Sequence, residues 1–266
     1  MRVLQLSDPH LLADPLGLCR GRQPLACLRH GLDQALAQLQ PQAIDLLLLT
    51  GDLCQDESWG GYARLRDLLA DRSPAPVALL AGNHDRPPLL QAALGRQAWI
   101  APAAVPLGAW TVLLLDSHRP GCVGGWIDSA QLAWLEGQLG AGGGPVLVAL
   151  HHPPVAIGAP ALDGIGLRQP GPLLELLRAS PRVRGVVFGH IHQHWLGAIS
   201  RATTAPALQA GGSLPLWGCP STLAPFEAVQ PCPLGHADWP GGRLLELAAD
   251  GEISTHLLRW PPLDPA

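Results

Sequence analysis

Apolar segments that each end in a polar cluster constrain this chain more than any other feature of its sequence. Five clusters of this kind recur within the first 192 residues, and each follows a strand-like segment. They are Asp8-Pro9-His10, Gly51-Asp52, Gly82-Asn83-His84-Asp85, His151-His152 and Gly189-His190-Ile191-His192. Because ligand sites in α/β sheets gather at the carboxyl ends of strands, we expect the clusters to meet at one edge of the fold.

The segments between the clusters alternate between strand-like and helical patterns. Buried strands are predicted at residues 2–6, 44–50, 77–81, 111–116, 146–150 and 183–188. Apolar residues at helical spacing predict helices after Pro24, around residues 62–69, from the N-cap Asp128 to about Leu139, and at residues 173–179. Gln131 is predicted to complete a capping box with Asp128.

Beyond Gly197 the sequence changes in character. Short apolar pieces at 207–210, 243–247 and 253–258, separated by Gly, Pro and Ser, predict antiparallel strands, with a longer loop from Cys219 to Pro240. The order of elements predicts one domain over 1–266, whose part from about 197 to 266 is β-rich. The predicted fold class is α/β: a four-layer α/β/β/α sandwich of two mixed β-sheets flanked by helices.

Composition excludes several classes of function. The apolar runs are too short to cross a bilayer, and the first residues lack the pattern of a secretion signal, so we expect a cytoplasmic protein without a membrane partner. All 17 basic residues are arginine and the net charge is −4, which argues against lysine-dependent catalysis and against binding extended nucleic acid. The six cysteines form no C-x-x-C pair and are interpreted as reduced thiols.

Each polar cluster alone has an ordinary explanation as a turn, a helix cap or a buried histidine pair. Five such coincidences at strand ends are implausible, so we interpret the clusters as metal ligands. The candidates provide oxygen and nitrogen donors without thiolate: Asp8, His10, Asp52, Asn83, His151, His190 and His192. This mixture suits Mn, Fe, Zn or Co better than Mg or Ca, and there are too many donors for one ion. Two ions sharing a carboxylate are therefore predicted, a site that can activate water and hold phosphoryl oxygens.

The same residues, in this order, resemble the conserved blocks of the calcineurin-like metallophosphoesterases. The resemblance implies that Asp8, His10 and His192 hold a first metal, that Asn83, His151 and His190 hold a second, and that Asp52 bridges them. It also implies that His84 is catalytic and faces the substrate, which Asn83 and Arg86 would also contact. Fe and Mn are the implied metals, with Zn or Co as alternatives.

Other segments resemble the class III cyclic-nucleotide phosphodiesterases. They include Thr50-Gly51-Asp52-Leu53-x-Gln55-Asp56, His151-His152-Pro153-Pro154 and Pro220-Ser221-Thr222. The implied reaction is hydrolysis of 3′,5′-cyclic AMP to 5′-AMP by a metal-bridging hydroxide, and a homodimer is also implied, although no segment marks an interface.

Two kinds of alternative stay open at this point. One is a phosphodiesterase or pyrophosphatase acting on another small phosphodiester: a nucleoside diphosphate-X, a glycerophosphodiester or a 2′,3′-cyclic nucleotide. The other is a non-catalytic protein-binding scaffold, although no ligand is missing. The sequence assigns no role to His118, Arg20, Arg22 or the loop from Cys219 to Pro240.

Overall fold

A computed structural model of the protein describes residues 1–39, 42–201 and 212–263. These residues form two β-sheets and six helices. The strands are β1 (Arg2–Leu6), β2 (Leu46–Leu49), β3 (Val77–Leu79), β4 (Ala98–Ile100), β5 (Ala103–Leu107), β6 (Trp110–Leu114), β7 (Val146–Leu150), β8 (Val183–Phe188), β9 (Trp195–Ser200), β10 (Ser213–Gly218), β11 (Gly241–Leu247) and β12 (Ile253–Arg259). The helices are α1 (Pro24–Leu39), α2 (Trp59–Arg72), α3 (Pro87–Leu94), α4 (Ser129–Gly140), α5 (Pro160–Asp163) and α6 (Gly171–Ala179).

Both sheets are mixed. In the first, the strand order is β12-β11-β1-β2-β3-β4, with β1 to β4 parallel and β11 and β12 antiparallel. In the second, the order is β5-β6-β7-β8-β10-β9, with the four central strands parallel and the two outer strands antiparallel. The predicted architecture of two mixed sheets flanked by helices is confirmed.

Strand β2 shows why the sheets pack in layers. Its side chains alternate between the two faces of the sheet, and both faces are buried, which explains the uninterrupted run of leucines. Leu47 and Leu49 pack in the core that contains α1 and α2, whereas Leu46 and Leu48 pack against the second sheet. A third core contains Leu135 of α4 and joins the second sheet to its helices.

Several elements differ from the sequence prediction. Helix α3, strands β4, β5, β9 and β10 and the short α5 were not predicted, because their segments are brief or interrupted by Pro and Gly. The predicted strand at 207–210 lies outside the described residues.

The predicted capping box at α4 is half wrong. Asp128 accepts a hydrogen bond from Gln131 N at 2.8 Å, as an N-cap should. The Gln131 side chain, however, exchanges two hydrogen bonds of 2.7 Å with the main chain of Asp116 and does not return to Asp128. Because β6 has ended before Asp116, its main-chain groups need such partners, so Gln131 ties α4 to the end of this strand.

The carboxyl ends of the central strands meet at one edge of the two sheets. Thr50, after β2, donates from its main chain to Leu6 O of β1 at 3.0 Å, and its carbonyl lies 2.7 Å from Nδ1 of His151, after β7. Gly189, after β8, donates to His151 O at 3.1 Å. Strand ends from both sheets are therefore joined where the polar clusters begin. None of the described helices is both long and apolar enough to traverse a bilayer.

Candidate metal centre

The loop that carries Asp8 and His10 lies alongside the loop that carries Asp52. Asp8 N donates to Gly51 O at 3.1 Å, and His10 N donates to Asp52 O at 2.9 Å. The loop after β8 joins them, since His190 N lies 3.2 Å from both carboxylate oxygens of Asp8. Three segments distant in the sequence are thus held together by their main chains.

The backbone at these clusters is strained. Five of the predicted ligands have positive φ angles: Asp8 (52°), His10 (51°), Asp52 (49°), His190 (66°) and His192 (53°). Side chains with a Cβ rarely adopt this region, at a cost of roughly 1–3 kcal/mol per residue, and such strain collects at functional sites.

Glycines give the ligands room to approach one another. A Cβ on Gly51 would overlap the His151 ring, and one on Gly82 would overlap the Asp52 carboxylate. A Cβ on Gly189 would overlap the Ser7 hydroxyl. The glycines that begin three of the five polar clusters are therefore required by close contact between loops.

Four buried side chains, Asp8, His10, Asp52 and His192, place their ligand atoms within 4.8 Å of one another. We call them the first donor group. Nε2 of His10 lies 3.1 Å from Nε2 of His192, which in turn lies 3.5 Å from Oδ1 of Asp8. Oδ2 of Asp52 lies 3.7 Å from Nε2 of His10.

A second donor group consists of Asn83, His151 and His190. Nδ1 of His190 lies 3.0 Å from Oδ1 of Asn83 and 3.2 Å from Nε2 of His151. Nε2 of His151 lies 3.4 Å from Oδ1 of Asp52. Asp52 therefore directs one carboxylate oxygen toward each group, and the structure brings all seven predicted ligands into adjoining clusters.

The hydrogen bonds of the imidazoles fix which nitrogens carry lone pairs. Nδ1 of His192 lies 2.9 Å from Ala224 O, and Nδ1 of His10 lies 2.7 Å from the amide oxygen of Gln55. An amide oxygen only accepts, so each Nδ1 carries the proton and each Nε2 has a free lone pair. Two lone pairs that face each other at 3.1 Å repel unless a cation lies between them.

The charges in this cluster also indicate a bound cation. Burial, followed by the neighbouring His192, lowers the pKa of His10 to about 3, so the imidazole is neutral. Burial, followed by the charges of Asp8 and Asp85, raises the pKa of Asp52 well above its usual value. Neutral imidazoles beside carboxylates that lack a counter-charge are the donors that metal ions require. The residues fit metal ions in both donor groups.

His152 also lies beside His151 and His190, close enough to be a ligand by distance alone. Both of its ring nitrogens are otherwise engaged, however. Nδ1 lies 2.8 Å from Ser117 Oγ, and Nε2 lies 3.0 Å from Val123 O. We assign His152 to holding the loop after β6 in place, in agreement with its omission from the predicted ligands.

His84 lies next to the first donor group but does not belong to it. Its ring centroid is 5.1 Å from that of His10, and its main-chain N donates to Oδ1 of Asp52 at 3.0 Å. Its Nδ1 is 3.2 Å from the amide nitrogen of Gln55, whose oxygen bonds His10. Burial lowers the pKa of His84, so the ring is neutral near pH 7. The sequence motif that contains Gln55 indicates no role for it, and the structure shows that Gln55 connects His10 to His84.

Asp85 connects the loop that carries Asp52 to the loop that carries Asn83. Its buried carboxylate accepts main-chain hydrogen bonds from Leu53 and Cys54 at 3.0 Å and from Gly82 at 2.8 Å, and another from the Tyr62 hydroxyl at 3.0 Å. Asp85 does not pair with Arg86, whose exposed side chain makes no hydrogen bond to any described residue. The tyrosine hydroxyl accepts from Arg86 N at 2.6 Å and so extends the network to the next residue.

The loop from Cys219 to Pro240 reaches the site. Ser221 Oγ donates to Asp8 O at 2.8 Å, and Ala224 O bonds His192 as described. The ring of Phe226 stacks on the His192 ring at 4.2 Å between centroids. The sequence alone assigned this loop no role. Ala224 was missed because every residue has a main-chain carbonyl, and Phe226 because its position depends on the fold.

His118 is not among these contacts. It lines a separate cavity of about 760 Å³ together with Asp116, Trp126 and Trp134, and no donor-group residue lines that cavity.

Comparisons with known proteins agree with this geometry. The family described as calcineurin-like phosphoesterase matches residues 1–194. A probable cyclic nucleotide phosphodiesterase of Synechococcus sp. (strain WH7803) is 48% identical over 274 residues, covering 100% of this chain and 98% of the relative. The 3′,5′-cyclic adenosine monophosphate phosphodiesterase CpdA of Pseudomonas aeruginosa is 36% identical, covering 97% and 89% of the two chains. A dimetal phosphatase from Danio rerio shares the fold, with a TM-score of 0.64 at 16% identity, covering 98% of this chain and 97% of the other.

Proposed function

The chain belongs to the calcineurin-like phosphoesterase family, and from this premise we propose that it hydrolyses a 3′,5′-cyclic nucleotide, with cAMP as the preferred substrate. The observation that carries the proposal is that Asp52 directs one oxygen toward each of two donor groups. The relatives that match nearly the whole chain are named as cyclic nucleotide phosphodiesterases, which supports the choice of substrate.

In this proposal, Asp8, His10 and His192 would hold one metal ion, Asn83, His151 and His190 would hold another, and Asp52 would contribute to both. When bound, two such ions would supply positive charge for the phosphate and would lower the pKa of water from ~15.7 toward neutrality. We propose Fe and Mn as the ions, because the donors are oxygen and nitrogen without thiolate, and Zn or Co as substitutes.

The reaction adds water to phosphorus and breaks the bond between phosphorus and the ribose O3′. The O3′ atom takes up a proton, and the product is the nucleoside 5′-monophosphate. His84 would act as a neutral donor: its Nδ1 accepts from the Gln55 amide, so Nε2 carries the proton and can donate to a phosphoryl or leaving oxygen. Asn83 and the exposed Arg86 would supply further donors to the phosphate.

We further propose that the enzyme works in the cytoplasm, which its six free thiols support. The homodimer implied by the family resemblance stays a prediction that size-exclusion chromatography with light scattering can test.

A substrate panel with defined metals tests the proposal. We expect the Fe- and Mn-loaded protein to show its highest kcat/KM on cAMP, compared with cGMP, 2′,3′-cyclic nucleotides, ADP-ribose, a glycerophosphodiester and bis(p-nitrophenyl) phosphate. A tenfold higher kcat/KM on another member would assign the enzyme to that substrate class instead. A folded, metal-loaded protein that hydrolyses none of them would be the non-catalytic scaffold.

A further inference from the structure

We propose that a cleft beside the first donor group binds the nucleoside of the substrate, with the guanidinium of Arg20 as the surface on which the base stacks. The inference rests on the proposed function and extends it from the phosphate to the rest of the nucleotide. The cleft measures about 500 Å³, within the usual range of small-molecule sites, and its walls include Arg20, Arg22, Phe226 and Asp238.

A three-layer stack connects this cleft to the metal centre. The Phe226 ring lies nearly parallel to the His192 ring, at 16° and 4.2 Å between centroids. The guanidinium carbon of Arg20 lies 4.6 Å from the centre of the same phenyl ring. At these separations the two groups cannot share one face of Phe226, so they cover opposite faces. Arg20 is exposed and lines the cleft, so its guanidinium is accessible to a ligand there.

A tight turn positions Arg20 for this role. Cys19 and Arg22 exchange main-chain hydrogen bonds of 2.9 and 3.0 Å, and between them Arg20 and Gly21 have φ angles of 52° and 73°. These are the features of a two-residue type I′ hairpin, whose first position usually holds Asn, Asp or Gly. Arg22 anchors the hairpin by donating to Leu263 O at 2.8 Å. Arginine therefore occupies this position at the edge of the site although its positive φ angle is unfavourable for a residue with a Cβ.

The charge of Arg20 is available to a ligand. Within the described ranges it forms no ion pair with a carboxylate within 4.0 Å. Planar guanidinium groups stack on nucleobases, and a cation at this position also favours an anionic substrate.

The larger cavity near Trp126 has a similar pair, with Arg119 5.1 Å from the Trp126 ring centre. Donor-group residues line neither cavity, but it is the weaker candidate, because Ala224 and Phe226 of the smaller cleft both contact His192. The Phe226 stack, in contrast, includes the predicted ligand His192.

Kinetics of Arg20→Ala, Arg20→Lys and Phe226→Ala test the inference, with Arg66→Ala on the exposed side of α2 as the matched control. We expect KM for cAMP to rise about ten- to a hundredfold in all three cleft variants, the range typical of losing one base-stacking contact. In the two Arg20 variants, KM for bis(p-nitrophenyl) phosphate, which has neither purine nor ribose, should change by less than about threefold. Binding of adenosine to the metal-loaded protein should weaken in parallel.

The outcomes separate the two proposals. Equal loss on both substrates, or full recovery in Arg20→Lys, would show that Arg20 acts as a charge on the phosphate and would overturn the stacking role. An unchanged KM for cAMP in Arg20→Ala would overturn the inference and leave the proposed function standing. If the wild-type enzyme does not hydrolyse cAMP, the proposed function itself fails, whatever adenosine binding shows.

Discussion

The two donor groups share Asp52 but differ in charge and in backbone. The first group contains two carboxylates, Asp8 and the shared Asp52, and all four of its members have positive φ angles. The second relies on neutral donors and on one oxygen of Asp52, and only His190 among its own members has a positive φ. The comparison shows that loops at the same edge of the two sheets can form two candidate metal sites that differ in negative charge and in backbone strain. The first should hold the harder, more highly charged ion, and the second should release its ion more readily.

The largest expected effect comes from the residue that both groups share. Asp52→Asn should abolish most binding of both metals and lower cAMP turnover by roughly a thousandfold or more, because it removes the charge that both ions need. Metal content per chain by mass spectrometry and kcat measure this. Loss of one ion alone would show that Asp52 belongs to a single group.

His84 belongs to neither group, so its removal separates chemistry from metal binding. His84→Ala should lower kcat by about 10² to 10⁴, the usual contribution of a proton donor, and should leave both ions bound. Circular dichroism and metal analysis serve as controls. If His84→Ala loses metal, the histidine is a ligand and the division between the groups must be redrawn.

A reciprocal pair of substitutions addresses the difference in charge directly. Asp8→Asn removes a carboxylate from the first group, and Asn83→Asp adds one to the second, each with little change in size. We expect about a ten- to hundredfold weaker first site and a comparably tighter second site, since carboxylate count tunes affinity. Mn²⁺ competition with a chelator resolves the two affinities. Unchanged affinities would mean that charge does not distinguish the groups.

Of the two donor groups, Gln55 contacts only the first, through His10, and it also contacts His84, which belongs to neither group. Gln55→Leu should weaken the first site about tenfold and leave the second unchanged, because the partner of a ligating histidine orients its ring. Gln91→Leu on the exposed face of α3 is the matched control. Equal weakening of both sites would indicate general destabilisation instead.

The last prediction concerns how the stability of the folded protein depends on pH, through histidines of both groups and their neighbour His152. The pKa values of His10, His190 and the neighbouring His152 are lowered to about 3, mainly by burial, so the folded state binds fewer protons than the unfolded state below pH 6.5. Their contribution to stability is complete above pH 6.5 and is lost progressively toward pH 3. Asp85, whose pKa is raised to about 6 by burial, opposes this trend between about pH 4 and 6.

Because the histidines outnumber such acids, the free energy of unfolding of the chelator-treated protein should fall by a few kcal/mol between pH 7 and 4. Urea titrations at several pH values measure it. A free energy that is constant or rises with acid would contradict the assignment of buried, neutral imidazoles.

The donor groups illustrate what the sequence could predict. The polar clusters stand directly after apolar runs, so strand periodicity and ligand chemistry together located all seven candidate ligands at one edge of the sandwich. The central strands were predicted for the same reason, since strands buried on both faces are uninterrupted apolar runs.

What the sequence missed has a physical explanation as well. Gly197 and Pro215 interrupt the apolar pattern of β9 and β10, β4 has only three residues, and Pro106 interrupts β5. The partner of His192 is the carbonyl of Ala224, a group that every residue possesses. Gln55 and Arg20 acquire their roles only from neighbours brought close by folding.

The position of β1 has a consequence for how the protein matures. This strand, which leads into Asp8 and His10, lies between the nearby β2 and the distant β11, with Leu4 paired to both Leu47 and Leu244. Pairings between remote segments form late, because the intervening loop must first lose its entropy. A growing chain that has passed His192 thus possesses every candidate ligand but lacks the strand and the loop that order them. We therefore expect metal ions to bind only after β11 and the loop from Cys219 to Pro240 have packed against β1 and the ligand loops, so that metal content would report complete folding.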